Sequence, residues 1–328
     1  MKWSVGIGTT NKCNLQCPHC YSRNKDFSEL SYSDVENIIN KLDVDAINFG
    51  TGENILNKDF LKILDLIHER GIKASLTSNG YTVMKLPSNY LEYFNDIDIS
   101  LEFPTKEKQE KFRGEGAWDL AISAIEKCID SQIDTSIACC MMNINVKDII
   151  DFDNLLIKYG INLRINTYKP VNTSIYCLTY EEYWNGIKNI LKRFKIVSCS
   201  EPILNAVLGI ENNRYSCGCG KTSLRINPDG GVYPCVYWNK SEFTIKDLSL
   251  IDENTFSKID VIPNECKGCK YKDLCAGGCE GRRVYRDLHS ADEYCPFVRG
   301  EKMEIEYQLG TKKDLVHSNY LCTLIVSM

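Results

Sequence analysis

Cys13, Cys17 and Cys20 stand at C-x3-C-x2-C spacing in the stretch Cys13-Asn14-Leu15-Gln16-Cys17-Pro18-His19-Cys20-Tyr21, just after a short apolar run at 3–7. A thiolate is a soft metal ligand. A compact loop with this spacing can point three thiolates at one face of an iron–sulfur cube. The fourth iron then has no protein ligand and stays open to a small molecule. A structural zinc site would instead close its coordination with four ligands. The competing readings are zinc completed by His19 or by a distant residue, disulfides, and chance recurrence among 17 cysteines.

A second concentration of cysteine runs from Cys217 to Cys295 and holds eight of the 17. Its order is Cys217-x12-Gly230-x4-Cys235, then Cys266-x2-Cys269-x5-Cys275-x3-Cys279, then Cys295, with Cys219 two residues after Cys217. A pair of zinc knuckles would want C-x2-C twice, and only one occurs in this region. Cys128, Cys139, Cys140, Cys177, Cys199 and Cys322 fall outside both groups, and most of them read as ordinary core packing.

The rest of the composition narrows the class. With 328 residues, 43% apolar and 25% charged, the chain is that of a globular protein of one large domain, or one large and one small. A net charge of -5 gives no reason to expect nucleic acid or an anionic membrane as a partner. No run approaches 18 apolar residues, and the apolar part of the first eight residues is too short for a signal peptide. The expected compartment is the cytoplasm, where structural disulfides do not persist, so cysteine richness points to metal or redox chemistry.

The elements that must position these residues alternate. Strand-like runs at 3–7, 46–49, 73–77, 97–101, 135–141 and 163–167 are interleaved with helical runs at 33–42, 58–69, 118–130, 146–159 and 180–194. Phe60, Leu61, Leu64, Ile67 and His68 share one side of the second helix, Gly71 caps its end, and Asn145 or Asp148 caps the fourth. Six alternations imply parallel strands with helices outside, too few to close an eight-stranded barrel. Such sheets carry their chemistry at the carboxyl ends of the strands. Those ends read Phe49-Gly50-Thr51-Gly52-Glu53-Asn54, Thr77-Ser78-Asn79-Gly80, Ser100-Leu101-Glu102 and Leu163-Arg164-Ile165-Asn166. Each of the first two also reads as a plain glycine turn. Arg164, a charge in a buried strand, must be paired or line a cavity. Arg113 by itself reads as a surface cation. Pro-Asp-Gly-Gly at 228–231, between β-rich runs at 223–226 and 232–237, predicts a hairpin.

The C-x3-C-x2-C loop followed by an aromatic residue resembles the cluster loop of the radical S-adenosylmethionine (radical SAM) enzymes. The resemblance implies a partial (β/α)6 TIM-like barrel in an α/β fold, with Cys13, Cys17 and Cys20 on a [4Fe–4S] cluster whose open iron chelates SAM. One electron then cleaves SAM to methionine and a 5′-deoxyadenosyl radical, which takes hydrogen from an unactivated C–H bond. It also implies Tyr21 near the adenine, and Gly52 and Glu53 at the SAM amino group. There Thr51 and Asn54 depart from the family's G-G-E-P. Ser78 or Asn79 would lie near SAM, and Ser100 and Glu102 near its ribose and methionine parts, with Glu102 replacing the family's aspartate. Arg164 would meet the SAM carboxylate, and Arg113-Gly114-Glu115-Gly116 resembles the turn that opens the fourth helix.

The second cysteine group resembles the SPASM extension of these enzymes, which carries two auxiliary [4Fe–4S] clusters. By that wiring Cys217, Cys235 and Cys279 belong to the first, and Cys266, Cys269, Cys275 and Cys295 to the second. Cys219 is then the fourth ligand of the first cluster or a free thiol able to donate hydrogen, or that cluster leaves an iron open. The domains implied are 1–204 (radical SAM barrel), 205–300 (SPASM) and 301–328 (a tail). The tail is a helix, a strand or disordered.

Radical SAM with SPASM implies modification of a ribosomally made peptide, by a crosslink or by epimerisation with Cys219 or Cys199 returning hydrogen. The partners expected are that peptide and an electron donor such as flavodoxin or ferredoxin; since the first strand starts at residue 3, the leader is bound either by a separate leader-binding protein or by the barrel and SPASM region directly. Anaerobic sulfatase maturation is disfavoured by Val236, where that branch has aspartate. Maturation of a small-molecule cofactor and a non-catalytic electron-transfer or scaffold role are the remaining alternatives.

Overall fold

The computed structural model describes residues 2–23, 25–210, 218–259, 261–311, 313, 315–316 and 322–328. Six strands follow one another in sequence and in space: β1 (Trp3–Ile7), β2 (Val44–Phe49), β3 (Lys73–Ser78), β4 (Asp96–Ser100), β5 (Asp134–Met141) and β6 (Asn162–Thr167). All five pairings between them are parallel. Parallel strands covered on both faces read as near-continuous apolar runs, and Val5, Ile7, Ile47, Phe49, Leu76, Ile97, Ile99, Ile137, Leu163 and Ile165 are all buried. Helices return the chain between strands. Those at Tyr32–Lys41 and Tyr180–Arg193 each open on a capping box, Ser31 with Asp34 and Thr179 with Glu182, which satisfies donors the first turn cannot.

Five more strands extend the sheet: β7 (Lys195–Cys199), β8 (Ser223–Ile226), β9 (Gly231–Tyr233), β10 (Phe243–Thr244) and β11 (Leu324–Ser327). The order is β10-β9-β8-β1-β2-β3-β4-β5-β6-β11-β7, an α/β arrangement that curls as a partial TIM barrel and does not close. The expected hairpin is present as β8 and β9, antiparallel, and β8 joins β1 in parallel. The tail supplies β11, which runs antiparallel between β6 and β7.

One expectation is corrected. The run at 146–159 is not one helix. A 3-10 turn at Ile149–Phe152 leads into a helix at Asp153–Tyr159, and neither Asn145 nor Asp148 caps it with its side chain. Asn145 Nδ2 instead donates to the carbonyls of Glu102 and Cys140, both at 2.9 Å, and its Oδ1 accepts from Met142 N. A buried amide that satisfies three backbone groups outweighs a cap. A further helix, Pro202–Leu208, is started by proline in its first turn and ended by Gly209 in the left-handed region.

Candidate functional site

A cavity of about 450 Å³ opens at the carboxyl ends of the parallel strands. Its wall takes in all three loop cysteines, Tyr21, Gly52, Glu53, Ser78, Asn79, Ser100, Glu102 and Arg164. The structure thus brings the strand-end residues read from the sequence to one space. Strand direction explains this, since parallel strands deliver their carboxyl ends to the same rim.

The three-cysteine loop is fastened from several sides. Asn79 Nδ2 donates to Asn14 Oδ1 at 2.9 Å and lies 3.5 Å from Cys13 Sγ. Glu53 N donates to Lys12 O at 2.8 Å. Gly52 makes that approach possible. It sits at φ +60, and a Cβ there would meet Lys12 O at 2.3 Å and Thr10 O at 2.6 Å. Desolvation pushes the Cys13 thiol up to about 12.

Glu53 is a brace. Its carboxylate is buried and accepts from Ser78 Oγ, Asn79 N, Thr82 N and Thr82 Oγ1, at 2.7, 2.7, 2.9 and 2.6 Å. Burial raises its pKa even against these donors. The departure from glycine at Thr51 also has a structural counterpart. Thr51 adopts φ +76, strained for a β-branched residue, while its hydroxyl lies 2.6 Å from the Tyr21 hydroxyl and accepts from Arg225.

Glu102 does not face the cavity as a lone carboxylate. Arg113 grips it with two nitrogens, and His19 Nε2 stands 3.4 Å away. Burial works against its charge, but Arg113 and then His19 overcome it and draw the carboxyl down to about 2. Of the two readings of Arg113, surface cation is excluded, because the residue is buried in this pair. It ends the helix Lys106–Arg113, and the next helix begins at Ala117. Arg164 is ion-paired with Asp98 and 2% exposed, the core alternative read from the sequence. It also lines the cavity, where its Nε has no partner among the described residues.

Of the far wall, only Val236 was read from the sequence. That wall contains Lys169, Arg225, Val236 and Tyr237. Lys169 is 2% exposed, its Nζ lies 4.7 Å from the Tyr237 ring centre, and it makes no hydrogen bond among the described residues. Arg225 occupies β8, and a charge inside a predicted strand was the signal that could have found it, as it found Arg164. Lys169 follows the end of β6 by two residues, and its position alone carried no such signal.

Behind this wall the second cysteine group assembles. Cys266, Cys269, Cys275 and Cys295 lie close enough to disfavour one another's charge, and Cys266, Cys275 and Cys295 are buried. Cys219 hydrogen-bonds Cys235, whose thiol is drawn down to about 7 chiefly by that bond. Cys235 and Cys279 converge on Gly281: a Cβ there would sit 3.4 Å from one sulfur and 3.8 Å from the other. Cys217 lies outside the described residues. Among the described residues no three His, Cys, Asp or Glu side chains converge tightly enough to hold a single metal ion.

Cys128 and Cys139 are buried in the apolar core, as expected of packing residues. No helix among the described residues is long and apolar enough to cross a membrane.

Comparison with known proteins places this geometry. The chain is 24% identical over 313 residues to mycofactocin maturase MftC of Mycolicibacterium smegmatis, covering 85% of this chain and 78% of that one. It is 26% identical over 359 residues to Fe-coproporphyrin III synthase of Methanosarcina barkeri, covering 89% and 87%. Its fold is similar to that of Streptococcus suis SuiB bound to precursor peptide SuiA, with a TM-score of 0.69 at 16% identity over 90% of this chain and 76% of that one. The model of the radical SAM superfamily matches residues 7–156, the span that carries the cysteine loop and the strand-end residues of the cavity rim up to β5. Residues 7–156 of this chain are a radical SAM domain.

Proposed function

We propose that this chain is a radical SAM maturase of a ribosomally made peptide, with a SPASM-type region, over about 205–300, that holds two auxiliary [4Fe–4S] clusters. The observation that carries the reading is the shared cavity. One wall is the cysteine loop, and the other is Lys169, Val236 and Tyr237, directly in front of Cys235 and Cys279. A substrate in that space would lie between the cysteine loop and Lys169, whose ammonium is close to Cys279.

Cys13, Cys17 and Cys20 would hold the first cluster, and the wall's composition fits SAM beside it. Buried donors without internal partners, Arg164 Nε and Lys169 Nζ, suit an anionic group. The acceptor Asn166 Oδ1 suits a hydroxyl or an amine. When bound, the cluster and SAM supply a 5′-deoxyadenosyl radical. The chain's own residues do the rest. Gly52 lets the second strand's turn approach the loop, and Glu53 locks that turn to the third strand's end. The Glu102–Arg113–His19 group fixes the loop's flank. Tyr21, held by Thr51 and set edge-on to Tyr237, walls the cavity on the side expected to receive the adenine.

The auxiliary thiols lie where an electron left on the substrate could depart, which suits a crosslink; Cys219, as a hydrogen donor, would suit epimerisation. The likeness to MftC and to a peptide-bound SuiB supports a peptide substrate, with an electron donor and a leader-binding protein as further partners. Val236, buried and apolar, disfavours the sulfatase branch. Maturation of a small molecule is the second reading, favoured by the likeness to Fe-coproporphyrin III synthase.

The test is anaerobic reconstitution with dithionite and SAM, first alone and then with short peptides encoded beside this chain. 5′-Deoxyadenosine formation that needs Cys13, Cys17 and Cys20 is expected. A peptide lighter by about two mass units indicates a crosslink, and one heavier by about one in deuterated water indicates epimerisation. No 5′-deoxyadenosine from cluster-loaded protein overturns the reading.

A further inference from the structure

Cys322 falls outside both cysteine groups of the sequence, and the structure gives it a definite position. It stands two residues before β11, which runs antiparallel between β6 and β7 with Leu324 opposite Ile165 on one side and Cys199 on the other. The start of an antiparallel strand lies at the carboxyl end of its parallel neighbours, so this register carries Cys322 to that end of the sheet, close to Lys169 of the cavity wall. Thr323 pins it there. Ser200 N donates to Thr323 O at 2.8 Å, Thr323 N to Ser200 Oγ at 3.2 Å, and Thr323 Oγ1 to Ile165 O at 3.1 Å. Cys322 is 6% exposed and its thiol hydrogen-bonds Cys279, with the Lys169 ammonium beside both.

The two cysteines are tied to one frame. Cys279 N donates to Asp292 Oδ2 at 2.9 Å, and Arg282 links Asp292 to Glu201. Glu201 is the residue after Ser200, to which Thr323 is bonded. Four thiols from four separate segments therefore lie together, Cys219 beside Cys235 and Cys279 beside Cys322, with Cys235 and Cys279 both next to Gly281.

We propose that Cys322 is a protein ligand of the first auxiliary cluster, completing with Cys219, Cys235 and Cys279 a set of four thiolates. This rests on the reading that an auxiliary cluster is held there. Four thiolates saturate a cubane cluster, so the site is closed to substrate and serves electron transfer, and Cys217 is not needed to complete it. The Lys169 ammonium offsets part of the added negative charge from the cavity side.

The experiment uses the full chain carrying Cys13→Ala, Cys17→Ala and Cys20→Ala, which removes the loop cluster and isolates the others. After anaerobic reconstitution this protein is expected to hold about eight irons and eight sulfides. If it holds about four or none, the two-cluster reading fails and the ligand assignment fails with it. If it holds about eight, adding Cys322→Ala is expected to lower the count to about four, while Cys217→Ala leaves it unchanged. Cys322→Ser, nearly isosteric and therefore foldable, is expected to shift the g-values of the dithionite-reduced cluster, which a merely structural cysteine would not do. Near-UV circular dichroism confirms folding in each variant. Unchanged iron content and unchanged spectra in both Cys322 variants, with loss of about four irons in Cys217→Ala, would overturn the proposal.

Discussion

Arg113 and Glu102 meet as a two-pronged buried pair at the edge of the cysteine loop, with Nη2 to Oε1 at 2.7 Å and Nε on Oε2. The carboxyl is held near 2, below its ordinary range, so the pair's stabilisation is present above about pH 4.5 and fades as pH falls toward 2. Glu102→Gln removes the charge and leaves a buried guanidinium without a counter-ion, a cost of roughly 3–5 kcal/mol at neutral pH. Urea unfolding of the metal-free protein is expected to show that gap at pH 7 and its narrowing between about pH 4.5 and 2. A gap that stays constant with pH would refute the charge argument, because a packing loss does not titrate.

Thr51 sets backbone strain against two hydrogen bonds. Thr51→Ala keeps φ +76 and loses the contacts with Tyr21 and Arg225, whereas Thr51→Gly loses the same contacts but relieves the strain. The glycine variant is expected to be the more stable of the two by about 1 kcal/mol, read from denaturation midpoints. Both are expected to bind SAM more weakly than the parent, since Tyr21 loses its hydroxyl partner. Equal midpoints would mean that the strain is not felt.

Much of this site was legible because its signals are local. The cysteine spacing fixes a loop without knowledge of the fold, and β1 was read with its observed ends. Strand–helix alternation then puts the other rim residues at one end of the sheet, whatever their detailed contacts. What escaped was long-range. Asp98 lies 66 residues before Arg164, and no pattern in either strand names the other. Lys169 takes its meaning from Tyr237 and Cys279, which only the folded sheet brings near. Cys322 depends on a four-residue strand at the end of the chain, too short for its periodicity to separate strand from helix. Asn145 looked like a helix cap because the apolar run behind it fits a helix, yet its amide satisfies the loop after β4 and the end of β5.

The Glu53 brace can be tested by changing one oxygen. Oε2 accepts three hydrogen bonds and Oε1 accepts one, from Asn79 N. Glu53→Gln keeps its carbonyl at the triple position and turns an NH2 group against the Asn79 N–H, leaving both donors buried without an acceptor. That costs roughly 1–3 kcal/mol and loosens Asn79, which fastens Cys13 and Asn14. Iron bound per chain is expected to stay near the parent's value while SAM affinity by calorimetry falls at least tenfold. Unchanged SAM affinity would show that the turn does not position the ligand.

Arg282 provides the last test, because it joins the sheet to the cysteine-rich region. Fully buried, it bridges Asp292 and Glu201, and Asp292 in turn holds the backbone N–H of Cys279. A planar guanidinium can serve two carboxylates at once, and an ammonium on a flexible stem serves them less well. Arg282→Met strands two buried carboxylates and is expected to cost roughly 3–5 kcal/mol, with Arg282→Lys recovering only part of it. If the link also positions Cys279, the Lys variant, although folded, loses iron from the auxiliary site, while the Cys13–Cys17–Cys20 loop keeps its own. Iron counts and SAM cleavage measured on the same sample separate the two effects. A Lys variant with full iron and reduced stability would show that the bridge supports the fold alone. Loss of auxiliary iron with SAM cleavage intact would show that Arg282 holds the second centre in register with the first.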